Sequence, residues 1–147
     1  MCIRDRGQTR DDAVGEAFDK VSKMLGLGFP GGAIIARLAE EYRESGASLW
    51  TKRVFPLVML EWDSLDFSFS GLKSAVKRLI DDEILQSGSI GKDFQSYIAY
   101  EFEETVTDIL AQKLQRAFEM LSLIHISSSI SRQNIISSWR MIRISPI

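Results

Sequence analysis

The chain has 147 residues, 45% of them hydrophobic, which is enough for one small domain with a modest core. Its formal net charge of −2 argues against nucleic-acid binding through overall charge, so any RNA contact would need a local basic patch. The single cysteine, Cys2, excludes an internal disulfide and a cysteine-based metal cluster, and the one histidine, His125, cannot build a histidine metal site. No apolar run reaches the roughly 20 residues of a membrane span, and no apolar signal-peptide core opens the chain. We therefore expect a soluble, cytoplasmic protein with no membrane partner.

Composition divides the chain into three predicted segments. Residues 7–120 carry clear helix caps and amphipathic stretches, whereas residues 121–147 are rich in Ser and Ile and contain no acidic residue. The opening MCIRDR and the later LSLIHIS resemble peptides that arise when sequencing-adapter DNA is translated. Residues 1–6 and 121–147 are therefore interpreted as artefacts, with a natural Ser-rich disordered tail as the alternative for the second.

Two amphipathic helices are predicted in the first third of the chain. Thr9 and Asp12 form a capping-box-like start, and Gly26 is a natural helix end. The apolar face between them consists of Val14, Ala17, Phe18, Val21, Met24 and Leu25. After a Phe-Pro-Gly-Gly turn at residues 29–32, a second helix is expected from about Ala33 to Glu44. Its apolar stripe consists of Ile34, Ile35, Leu38 and Tyr42.

The remaining elements are one loop, one strand and two helices. Residues 45–65 are loop-like, and residues 66–70 alternate polar and apolar side chains as a half-buried strand does. A helix is expected from about Leu72 to Leu85 and a longer one from a cap at Asp93 to about Glu119. The apolar stripe of the long helix consists of Ile98, Phe102, Val106, Ile109, Leu110, Leu114 and Phe118. The predicted fold class is mainly α, with one or two short strands.

The polar face of the first helix is one candidate binding surface. Its residues are Asp12, Glu16, Asp19 and Lys23, and such carboxylates either accept hydrogen bonds from sugar hydroxyls or form a solvated face. Gly15 favours the first interpretation slightly, because glycine inside a helix costs about 1 kcal/mol relative to alanine.

Two other motifs are candidate ligand contacts. Paired glycines before a helix, Gly31 and Gly32, let a ligand approach the free amides of a helix start, although an ordinary interhelical turn has the same sequence. Ser70 and Lys73 lie where the predicted strand turns into a helix, and they form either a structural junction or a substrate contact. Nucleophilic catalysis by Ser70 is improbable, since the one histidine lies in the terminal segment. No catalytic residue is assigned.

Together these motifs resemble the TsaD family of tRNA threonylcarbamoyltransferases, whose archaeal and eukaryotic relatives are the catalytic subunits of the KEOPS complex. The strings that carry the resemblance are GQTRDDAVGEAFDKVSKMLGLGFPGG, DFSFSGLKSAV and EFEETVTDILAQKLQRAF, in the order of that family. The resemblance covers about three quarters of the chain. It implies that the chain is an internal, helical fragment of the two-lobed actin-like ATPase (ASKHA) fold.

The resemblance also implies a reaction and two substrate-binding residues. The family transfers threonylcarbamoyl from threonylcarbamoyl-AMP to N6 of adenosine 37 in tRNAs that read ANN codons. Its substrate-binding aspartate corresponds to Asp19 and its glycine to Gly32. An acid that contacts substrate in many members is replaced here by Ala36, and the usual proline is replaced by Ala33. Those departures put the contact at Ala36 in doubt.

Several parts of the family's site are missing from the sequence. The resemblance implies one divalent metal ion, with iron as the expected element, held by an HxxxH pair and a downstream aspartate. Neither ligand group lies in this chain, nor do the GGHT loop and the GGVAAN segment. We therefore assign no metal ligands and expect the isolated chain to be inactive. The implied partners are tRNA, a paralogous non-catalytic protein and a small ATPase. The alternatives are a stand-alone helical interaction module and a fragment of another ASKHA enzyme, such as a sugar kinase.

Overall fold

A computed structural model describes residues 7–46, 55 and 64–120 of the chain. The predicted segments 1–6 and 121–147, with Cys2 and His125, lie outside the described residues, as does most of the predicted loop at 45–65. The described part contains four helices: α1 (Val14–Met24), α2 (Gly31–Glu44), α3 (Ser70–Ser87) and α4 (Lys92–Met120). The prediction of a mainly helical chain is confirmed.

Two predicted helix starts were wrong because side chains from elsewhere in the chain cap them. Helix α2 begins at Gly31 and not at Ala33, since the Gly31 amide donates a hydrogen bond of 2.8 Å to the Asp19 carboxylate on α1. Helix α3 begins at Ser70 and not at Leu72, since Asp11 accepts hydrogen bonds from the first amides of that helix. Each carboxylate satisfies amides that have no partner inside the helix.

The start of α1 differs from the predicted cap. The helix begins at Val14 after Ala13, which makes no side-chain cap. The Thr9 hydroxyl instead donates to the Asp12 carbonyl oxygen at 2.7 Å, closing a short turn before the helix. The helix ends at Met24, and Gly26 follows it with a φ of 74°. Helix α4 begins one residue before the predicted cap, so Asp93 lies in its first turn.

The predicted strand at residues 66–70 is reduced to one parallel bridge between Thr9 and Phe67. Two backbone hydrogen bonds of 2.8 Å make this bridge: Phe67 donates to Gln8, and Arg10 donates to Phe67. Beyond Phe67 the backbone turns into α3, and Gly88 ends that helix with a left-handed φ of 76°. The bridge places residues 8–12 beside the start of α3.

The contacts divide the chain into two compact units, residues 1–105 and 106–147. In the first unit α1 packs on α2 and α3, and the rings of Phe18 and Phe102 meet edge to face at 5.0 Å. The largest fully buried side chains of this unit are Phe55, Phe69, Phe102, Leu25, Ile35 and Ile98. The predicted apolar faces of α1 and α2 therefore supply much of its core, although Val14 and Met24 lie partly exposed at the edge.

The described part of the second unit is the end of α4. Val106 and Ile109 are buried there, whereas Leu110, Leu114 and Phe118 are 39–44% exposed. The predicted stripe of α4 is thus only partly a core surface. Within the described ranges, no helix is both long enough and apolar enough to cross a membrane.

Candidate substrate-binding helix and turn

The carboxylates on and before α1 have different partners. Asp12 accepts hydrogen bonds from Lys20, at 2.8 Å, and from Lys73 on α3. These two hydrogen bonds lower the pKa of Asp12. Glu16 also pairs with Lys20, at 2.8 Å across one helical turn. Asp12 and Glu16 are therefore engaged in ion pairs, and they do not form an open cluster of acceptors with Asp19.

Asp11 fastens the segment before α1 to the start of α3. Its carboxylate accepts hydrogen bonds from the Ser68 hydroxyl and from the amides of Phe69, at 2.8 Å, and Ser70, at 3.4 Å. Partial desolvation would raise the pKa of Asp11, but these hydrogen bonds outweigh it and lower the pKa to about 2. Asp11 stays charged at neutral pH and stabilises the positive end of the helix.

The contacts of Asp11 and Asp12 bear on the two interpretations of Ser70 and Lys73. The amide and hydroxyl of Ser70 lie in the group around Asp11, and Lys73 binds Asp12. Both residues thus link α3 to the segment before α1. This favours a structural junction over a substrate contact.

Asp19, the first of the two predicted substrate-binding residues, faces the turn that begins α2. It is half-buried, and its Oδ1 accepts the 2.8 Å hydrogen bond from the Gly31 amide. Within the described ranges, Oδ2 of Asp19 accepts no hydrogen bond. One carboxylate oxygen thus caps α2, and the other remains available as an acceptor.

Gly32, the second predicted substrate-binding residue, directly follows the glycine that Asp19 caps. A Cβ added at Gly32 would meet no atom within 4 Å, so the backbone here borders open space. The structure therefore brings Asp19 and Gly32 to the same turn, although they come from different motifs. Ala33 beside them is exposed, and Ala36, one helical turn further along, is half-buried.

Two further side chains hold the loop between α1 and α2. Ser22 is fully buried, and its hydroxyl donates to the Gly28 carbonyl oxygen at 2.8 Å. Gln95 on α4 donates to the Leu25 carbonyl oxygen at the same distance. Phe29 follows Gly28 in this loop, and 80% of its surface is exposed. Sequence reasoning missed Ser22 and Gln95, because nothing in the local pattern shows which backbone group a polar side chain will reach.

Comparison with known proteins identifies the family. The family model described as TsaD, tRNA N6-adenosine threonylcarbamoyltransferase, matches residues 2–137. The chain belongs to the TsaD family.

Three relatives, each described as a tRNA N6-adenosine threonylcarbamoyltransferase, are similar to this TsaD-family chain. That of Desulforapulum autotrophicum is 46% identical over 134 residues, which are 90% of this chain and 37% of the relative. That of Thermodesulfovibrio yellowstonii is 41% identical over 87% of this chain and 37% of its own length. That of Desulfotalea psychrophila is 46% identical over 73% and 29%. The chain thus spans between 29% and 37% of the length of these curated relatives.

The TsaD resemblance implies a metal ion, which would need a group of ligating side chains. The described residues contain no group of three or more His, Cys, Asp or Glu side chains that could hold a metal ion. The carboxylates on and before α1 are already engaged, Asp12 and Glu16 by lysine and Asp19 by the Gly31 amide. The described residues therefore do not fit a metal ion.

A second polar cluster, around Arg43, was missed by sequence reasoning. Its guanidinium lies 3.3 Å from the buried Glu103 carboxylate and 3.1 Å from Glu104, and it also pairs with Glu40. The same group lies 5.5 Å from the centre of the Tyr100 ring. Only the Glu40 pair, three residues away on α2, was visible as a local signal. This cluster joins α2 to the first part of α4 and serves the fold.

Proposed function

We propose that this chain forms the substrate-binding helix and turn of a tRNA N6-adenosine threonylcarbamoyltransferase with the two-lobed ASKHA fold. The observation that carries the proposal is the 2.8 Å hydrogen bond between Asp19 and Gly31, because it sets the Asp19 carboxylate beside Gly32. Membership of the TsaD family and the printed descriptions of the relatives support the same function.

In the proposed reaction the N6 amine of adenosine 37 in an ANN-reading tRNA attacks the carbamoyl carbon of threonylcarbamoyl-AMP. A carbon–nitrogen bond forms, the bond from that carbon to the phosphate oxygen breaks, AMP leaves and the amine loses a proton to water. Asp19 accepts a hydrogen bond from a substrate hydroxyl, and Gly32 lets the substrate approach the backbone at the start of α2. Both residues bind and orient the substrate, and neither forms a covalent bond to it.

The other components of the reaction belong to the whole enzyme. There, a divalent metal ion, expected to be iron, would supply charge stabilisation through ligands that this sequence lacks. The tRNA, the paralogous partner and the small ATPase would likewise bind the cytoplasmic full-length protein. The family match favours this function over the sugar-kinase alternative.

A segment exchange tests the proposal. Residues 7–119 of this chain would replace the matching segment of the Desulforapulum autotrophicum relative, and modified adenosine in tRNA would be measured by nucleoside mass spectrometry. The chimera should be active, and Asp19→Ala should lower its rate at least roughly tenfold, as expected for losing a hydrogen bond to a charged acceptor. The control is Asp82→Ala, an exposed acid on α3, which should keep the rate. Full activity of the Asp19→Ala chimera would refute the assigned role.

The isolated 147-residue chain should transfer no threonylcarbamoyl group, because the family's histidine pair and two of its substrate loops are missing from the sequence. The same mass-spectrometric assay checks this, and a measurable rate would overturn it. The flanking DNA distinguishes the stand-alone interaction module: a ribosome-binding site directly before Met1 would support the module. A reading frame that continues upstream into HxxxH would support the enzyme fragment.

A further inference from the structure

Gly31, the first glycine of the turn, lies where α1 and α2 come closest. It is buried, and a Cβ added there would lie 2.6 Å from the Asp19 Cα and 2.7 Å from the Phe18 carbonyl oxygen. Both are backbone atoms of α1, so neither can rotate away as a side chain could. Gly32 is different, because a Cβ there would enter open space. Only glycine therefore permits the observed approach at residue 31.

The same close approach determines how the Asp19 carboxylate is held. The Gly31 amide reaches Oδ1 at 2.8 Å only because the two backbones touch. An aspartate side chain on a helix otherwise rotates among several orientations. Here one oxygen is engaged, and the orientation of the other is fixed.

We infer that Gly31 is a positioning residue, which orients the Asp19 carboxylate so that Oδ2 accepts the substrate hydroxyl. This inference rests on the proposed function. Gly31 does not contact the substrate itself and acts through Asp19. Ser22 supports the arrangement, since its buried hydroxyl fixes Gly28 three residues before Gly31.

Asp19 has two roles, capping α2 and accepting the substrate hydroxyl, and two different substitutions separate them. Asp19→Asn keeps an oxygen that can accept from the Gly31 amide but replaces the second oxygen with an NH2 group, which cannot accept from a hydroxyl. Asp19→Ala removes both acceptors. The asparagine variant should therefore keep the turn and lose the substrate contact, whereas the alanine variant should lose both.

The affinity for threonylcarbamoyl-AMP is measured by isothermal titration calorimetry in the chimera described above. The Gly31 amide signal is followed in NMR spectra of the 147-residue chain labelled with nitrogen-15. Asp19→Asn should leave the Gly31 amide signal near its position and weaken binding roughly tenfold or more. Asp19→Ala should move that signal and weaken binding equally. Gly31→Ala should also weaken binding roughly tenfold. The control Gly91→Ala, which places a methyl group in open space, should bind like the unchanged chimera.

A double substitution distinguishes positioning from a merely structural role. In a chimera that already carries Asp19→Ala, adding Gly31→Ala should weaken binding no further, because the group through which Gly31 acts is gone. Equal losses in both backgrounds would overturn the inference, as would unchanged affinity of Gly31→Ala. If Gly31→Ala does not fold, the two Asp19 variants decide: an Asn variant that moves the Gly31 signal as far as Ala does overturns the inference. No binding by the unchanged chimera would overturn the proposed function, whereas the Gly31 signals of the two Asp19 variants decide the positioning role separately.

Discussion

Removing the Asp11 carboxylate tests how the segment before α1 is joined to α3. Asp11 accepts three hydrogen bonds from that junction, so Asp11→Ala should leave the amides of Phe69 and Ser70 without their acceptor. Loss of a capping side chain typically costs about 1 kcal/mol. We therefore expect the free energy of unfolding to fall by about 1 kcal/mol at neutral pH.

The lowered pKa of Asp11 also indicates how much its carboxylate stabilises the folded chain. A fall from 3.8 to about 2 would correspond to about 2 kcal/mol if it were fully expressed as stability. Asp11 is exposed, however, and solvent screening reduces the contribution of such a group to about 1 kcal/mol.

The stabilisation by Asp11 should be lost as the pH falls. Because the pKa of Asp11 is lower in the folded chain than in the unfolded one, protons bind the unfolded chain more readily. The stabilisation should be complete above about pH 4 and should disappear as the pH falls toward about 2. Urea unfolding followed by far-ultraviolet circular dichroism, at a series of pH values, would measure it in the unchanged chain and in Asp11→Ala.

A matched control is Asp82→Ala, an exposed acid on α3. Because no hydrogen bond or ion pair is found for Asp82 within the described ranges, its removal should change stability by less than about 0.5 kcal/mol. The reasoning would be refuted if Asp11→Ala matched this control at neutral pH. It would also be refuted if the difference between the two variants persisted at the acidic end of the series.

Four further substitutions can be measured in the same unfolding assay at neutral pH. Phe102→Ala should lose about 3–5 kcal/mol, because its ring is fully buried, and a loss under 1 kcal/mol would contradict the described core. Phe29→Ala should change stability by less than about 0.5 kcal/mol, because its ring is 80% exposed, and a larger loss would show that the ring is buried. Gly15→Ala should gain about 0.5 kcal/mol, since its Cβ would enter open space on a helix, and destabilisation would contradict this. Arg43→Met should lower the free energy of unfolding by about 2 kcal/mol, because it removes the cation beside the buried Glu103. Adding Glu103→Gln should recover part of that loss. If the double variant is no more stable than Arg43→Met, the pairing is contradicted.

Helical periodicity was enough to predict the existence of all four helices, but it could not predict how two of them begin. The pattern placed Gly31 and Gly32 in a turn and the start of α2 at about Ala33. In the structure the Gly31 amide is capped by Asp19, which lies on another helix. The start of α3 at Ser70 depends in the same way on Asp11. A cap supplied by a residue distant in sequence leaves no mark on the local pattern.

The candidate site was predicted only as far as residue types and the TsaD resemblance allowed. The resemblance indicated Asp19 and Gly32, and the structure brings them to one turn, while their role in binding substrate stays a prediction. Residue pattern alone could not distinguish Asp19 from Asp12 and Glu16, which were predicted to lie on the same polar helix face. The distinction arises from Lys20, which pairs with the other two carboxylates.

The polar side chains on and before α1 differ in what they contact. A solvated face would leave its side chains in water, and a full binding surface would direct several acceptors at a ligand. Two of the carboxylates instead pair with lysines: Glu16 binds Lys20, and Asp12 binds both Lys20 and Lys73. The two oxygens of Asp19 differ. Oδ1 caps α2, whereas Oδ2 accepts no hydrogen bond from the described residues. A ligand contact at this turn therefore depends on one carboxylate oxygen, whose position follows from how closely Gly31 lets two helices approach.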